Sequence, residues 1–115
     1  MNVKSLILGV FIFMLAHILT WFQLNGQFIW KSFKDNSMLL SIIGIPMSYL
    51  FILGTKYTVE SFGGLLWPSR FIGFGIGIVI YALMVSWLFG EGFTTKTIVS
   101  IAISLILISI QVLWK

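Results

Sequence analysis

Few side chains in this sequence can do chemistry. His17 is the only titratable group well inside an apolar run, and an imidazole, with a reference pKa of about 6.5, changes charge near neutral pH. At helical spacing it shares a face with Phe13, Thr20 and Trp21, which makes a polar face lined by aromatic rings. Two readings stand: a substrate or proton site inside a helix bundle, or a neutral imidazole hydrogen-bonded to another helix. Asp35, Glu60 and Glu91 all fall between the apolar runs. A buried carboxylate for which proton and cation compete is therefore missing from the spans. One histidine without cysteine makes no zinc site, since zinc takes three or four protein ligands. No Ser-His-Asp set, carboxylate pair or phosphate loop can be assembled, so neither enzyme activity nor a cofactor is expected.

The remaining candidates are polar or small residues at span edges and on helix faces. Arg70 begins the third span and either snorkels to lipid phosphate or anchors an anionic substrate. Tyr49, one turn after Pro46, offers its hydroxyl to a chamber or to a neighbouring carbonyl. Pro46 removes a donor inside the second span and is expected to kink it. Gly73-Phe74-Gly75-Ile76-Gly77 is no dinucleotide loop, because Ile78 stands where the third glycine belongs and no strand precedes it. Gly73 and Gly77 instead put two small residues on one face, for close packing or as a hinge beside a binding chamber. Thr97, Ser100, Ser104 and Gln111 form a narrow polar stripe on the last span that should meet protein, through self-association or within one chain.

The elements that must hold these groups are membrane helices. Of 115 residues, 59% are hydrophobic and 9% charged, with a mean hydropathy of +1.09; soluble domains carry roughly 25% charge. Ten charged side chains cannot coat such a particle in water, so the bilayer is its expected partner. Uncharged apolar runs occupy 5–21, 38–55, 71–90 and 98–114, each close to the length that crosses the hydrocarbon core. Lys4 before the first run has the look of a signal peptide, but the run ends without an A-x-A site and is read as a retained helix. Trp21, Trp30, Trp67, Trp87 and Trp114 lie near span ends, where indoles favour the headgroup level. Pro68 suits an early position of the third helix. The seven basic residues against three acidic give +4, scattered singly rather than as a nucleic-acid footprint.

Charge also bears on orientation. Lys4, Lys56, Arg70 and Lys115 fall on one side and Lys31, Lys34 and Lys96 on the other, a bias of four to three. Such a chain either inserts both ways, allowing an antiparallel dimer, or has one topology that small charge differences conceal.

Gly75-Ile76-Gly77, followed by Ser86-Trp87-Leu88-Phe89-Gly90-Glu91 and a last apolar helix, resembles the third and fourth helices of the small multidrug resistance family, within the drug/metabolite transporter superfamily. The length and four spans match that family along the whole chain. The resemblance implies a dimer held by the fourth helix and a solute chamber formed by the first three, with His17 standing where the family has its first-helix glutamate. Gly73 replaces a tryptophan of the family, and the first connector, Gln23-Leu24-Asn25-Gly26-Gln27-Phe28, is longer. The expectation is thus an all-α, four-helix integral membrane protein, multi-pass in a bacterial inner membrane and homodimeric. It would move a small or amphipathic solute by alternating access. His17, Trp21, Tyr49 and Arg70 would line the path, and Pro46, Gly73, Gly75 and Gly77 would serve packing or hinge motion. The other expectation is a non-transporting accessory subunit of a larger membrane complex, whose interior would be tightly packed.

Overall fold

The computed structural model describes residues 2–91 and 93–114; Lys115, counted above among the basic residues, lies outside them. Four long helices cross the described chain: α1 (Val3–Asn25), α3 (Ser37–Ser61), α4 (Leu66–Leu88) and α5 (Thr95–Leu113), with a short α2 (Lys31–Asp35) between the first two. The protein is an all-α, four-helix integral membrane protein. At about 1.5 Å per residue the long helices measure roughly 29 to 37 Å, enough for the ~30 Å hydrocarbon core.

The helices outrun the apolar runs at several ends, because backbone hydrogen bonding continues into polar residues. The difference is largest after residue 55, where α3 carries on through Lys56 and Glu60 to Ser61. Gly63 and Gly64 then reverse the chain with φ of +67° and +94°, left-handed angles that a Cβ disfavours. The Gly64 N–H donates to the Val59 carbonyl at 2.9 Å, closing the helix end. Pro68 falls in the first turn of α4, where backbone N–H groups have no helical acceptor to lose. Asn2 and Thr94 cap α1 and α5, their side-chain oxygens accepting from the Ser5 and Thr97 N–H groups.

α1, α3 and α4 form a three-helix cluster, and among the described residues α5 packs on α4. Pro46 does not interrupt α3, which runs unbroken from Ser37 to Ser61. Trp30, Trp67, Trp87 and Trp114 are exposed near helix ends, as interfacial indoles should be. Trp21 departs from that expectation. It is 3% exposed, packed with Ile80 and Met84 of α4, because α1 continues a full turn beyond it.

Candidate functional site

The site is built on a polar knot. Thr58, Ser61 and Ser69 are buried where α3 ends and α4 begins. The Thr58 hydroxyl donates to the Gly54 carbonyl at 2.8 Å and lies 2.6 Å from the Ser69 hydroxyl. With its single proton committed to Gly54, Thr58 accepts from Ser69. Ser61 donates to the Thr58 carbonyl at 2.6 Å, and the Asn2 N–H to the Ser61 carbonyl at 3.0 Å. Three helices are thereby pinned at one end, and inside a membrane such bonds have no water to replace them. Gly9 and Gly54 let the α1 and α3 backbones meet: a Cβ on Gly9 would lie 2.6 Å from the Thr58 methyl, and one on Gly54 would lie 2.8 Å from the Phe13 ring.

Beyond the knot a cavity of about 680 Å³ opens among α1, α3 and α4, within the usual range for small-molecule sites. Its α4 wall runs from Leu66 and Ser69 through Arg70, Gly73, Phe74, Gly77 and Ile78 to Tyr81, one face of a helix. Phe13 and His17 come from α1, and Phe51 and Thr55 from α3. The His17 ring meets Phe51 edge-on, with centroids 5.1 Å apart and planes at 83°; Phe13 lies 6.4 Å from His17 and 6.3 Å from Phe51. The glycines make room for these rings. A Cβ on Gly77 would fall 2.7 Å from the His17 Cε1, whereas one on Gly73 would make ordinary contact with Phe13 at 3.5 Å.

The residues singled out from sequence therefore separate. His17, Arg70, Gly73 and Gly77 come together on the cavity. Tyr49 does not: its side chain is 62% exposed on the outer side of α3, beside the exposed Pro46. Trp21 lies in the α1–α4 packing, its ring 6.5 Å from Tyr81 and its buried indole N–H without an acceptor among the described residues. Thr20, placed on the His17 face by spacing, turns to α3 and donates to the Met47 sulfur at 3.7 Å. Gly75 faces away from the cavity and receives Ile108 of α5. Of the α5 stripe, Thr97, Ser100 and Ser104 line a second cleft of about 360 Å³ against α4, and Gln111 is half-buried. Three of the four stripe residues therefore border α4 within one chain, while Ser100 remains exposed.

Phe51, Thr55, Phe74, Tyr81 and the knot residues went unrecognised from sequence. Phe74 and Tyr81 follow Arg70 at spacings of four and eleven, a signal readable once the phase of α4 is known. Chemically the cavity offers apolar and aromatic walls, an imidazole and one guanidinium. Among the described residues no Asp or Glu lines it. Comparison with family models, curated proteins and solved structures returns no match.

Proposed function

We propose that the protein is a small membrane transporter, carrying a small or amphipathic solute through the cavity among α1, α3 and α4. The observation that carries this reading is the cavity itself: a lined, open space inside a membrane helix cluster, with His17 midway along α1 and Arg70 near the start of α4. A subunit serving only as packing material has no use for such a space. The likeness of the third and fourth spans to the small multidrug resistance family supports the same reading and brings a homodimer, antiparallel if the chain inserts both ways, in a bacterial inner membrane. With His17 in place of the family's glutamate, coupling would run through an imidazole or not involve protons at all. Motion would centre on α4, whose Gly73 and Gly77 accommodate Phe13 and His17 on the cavity side while Gly75 accommodates Ile108 on the other. No catalytic step is part of the proposal.

The test is solute flux into liposomes holding the purified protein, with a His17→Ala variant in parallel. Flux that the variant alters supports transport; no flux of any solute, with the variant indistinguishable in every assay, overturns it. One feature favours the accessory-subunit reading: no described residue of α5 is buried, which leaves the side of that helix turned away from α4 for a larger partner. Stoichiometric co-purification of such a partner, together with absent flux, would establish that reading instead.

A further inference from the structure

We infer that the cavity among α1, α3 and α4 is built for amphipathic anions: Arg70 holds the carboxylate or phosphate, and the apolar body lies along the aromatic wall toward Tyr81. This deepens the transport reading and rests on the same cavity. Three observations carry it. First, among the described residues Arg70 is the one charged side chain on the cavity lining, and no carboxylate joins it there. Aromatic rings attract cations through their faces, so rings alone would leave the sign open. A guanidinium with no acidic partner among the described residues decides it, because a cation inside would meet like charge, while an anion gains charge-assisted, bidentate hydrogen bonds.

Second, the neighbouring charges of α3 stay out. Lys56 holds its ammonium 5.8 Å from the Tyr57 ring centre, and Glu60 is exposed and absent from the lining. Arg70 is therefore not neutralised by a protein acid on this wall. Third, the shape is elongated. Arg70 and Tyr81 are eleven residues apart on α4, about 16 Å along the axis, and between them the wall offers Phe74, Ile78 and two glycines. A charged group one turn from the Leu66 end of the lining and an apolar path leading away from it toward Tyr81 match a single-headed amphipath better than a compact polar anion.

The anionic head could belong to a free amphipathic solute or to a bilayer lipid, and the experiment separates the two. The protein is placed in nanodiscs of pure phosphatidylcholine and titrated with dodecyl phosphate, with dodecyltrimethylammonium as cationic competitor. Saturable binding of the phosphate is expected, weakened at least tenfold by Arg70→Gln and less by Arg70→Lys. Lys56→Gln, which removes a nearby charge off the lining, should leave it unchanged. Binding that Arg70→Gln leaves intact, or stronger binding of the ammonium, overturns the inference. If the Gln variant fails to fold, the Lys variant and the competition decide. Native mass spectrometry after purification from a native membrane identifies the source. Anionic phospholipid retained by the wild type and lost from Arg70→Lys points to a lipid head, and its absence alongside dodecyl phosphate binding points to a free solute. Binding without flux of the anion removes the transport reading and keeps the anion site. Flux of a cation insensitive to Arg70→Gln does the reverse.

Discussion

The seam between α1 and α3 and the seam between α4 and α5 are both membrane helix contacts made at glycines, yet they are built differently. At the first, the Cβ position of Gly9 is hemmed in by the Thr58 amide nitrogen at 3.1 Å and the Gly54 carbonyl oxygen at 3.2 Å. Backbone there stands against backbone, and Thr58 ties the contact to α4 through Ser69. At the second, Gly75 faces only the flexible end of Ile108. The hydroxyls of Ser100, Ser104 and Ser109 donate to carbonyls of their own helix. Helix association in lipid depends on close packing and bonds between helices, so the first seam is a rigid frame for the cavity and the second an adjustable attachment. The difference puts the close backbone packing at α1–α3 and leaves the α4 side that meets α5 with the looser contact.

The sharpest way to break this contrast is Gly9→Leu. Four carbons forced between two backbones should destabilise the protein by about 3 kcal/mol, read as a lower midpoint in SDS unfolding followed by circular dichroism. A midpoint near wild type would mean that α1 and α3 are not in backbone contact. Next comes Thr58→Val, which keeps the shape and leaves the buried Ser69 donor unpaired, at about 1–3 kcal/mol. Adding Ser69→Ala should recover part of that loss, because no orphan then remains; additive losses would show that the two hydroxyls do not meet. On the other seam, Gly75→Ala should stay under about 1 kcal/mol, since the Ile108 tip can turn aside. Ser104→Ala, whose hydroxyl bonds only its own helix, should fall within about 0.5 kcal/mol of wild type in the same titration. A larger effect from either would make α4–α5 a second structural seam.

The same two seams show what the sequence disclosed and what it withheld. The four spans were legible because transfer into lipid depends on composition, which a run of apolar residues displays directly. Their ends were not: Thr58, Ser61 and Ser69 look like connector residues, and only their mutual hydrogen bonds let them be buried. His17 stood out as the lone titratable group in the spans, and Gly77 as a small residue, but that one exists to admit the other is a tertiary fact. Tyr49 and Trp21 were misplaced for a related reason. A helix that is apolar all round carries no marked face, so spacing alone cannot tell which side of α3 or α1 looks inward. Arg70, Phe74 and Tyr81 share a face by arithmetic, yet nothing in the sequence distinguishes that face from the one bearing Gly75.

The central claim, that the open cavity lies among α1, α3 and α4 and not on the outer side of α3, can be measured directly because the chain contains no cysteine. Single variants Phe74→Cys, on the cavity wall, and Tyr49→Cys, on the outer side of α3, can be treated in membranes with a charged thiol reagent. Phe74→Cys should react, and an amphipathic anion should slow the reaction, while Tyr49→Cys stays unmodified in lipid. Rapid labelling at Tyr49 with protection at Phe74 would place the accessible cavity on the opposite side of α3 and contradict the account.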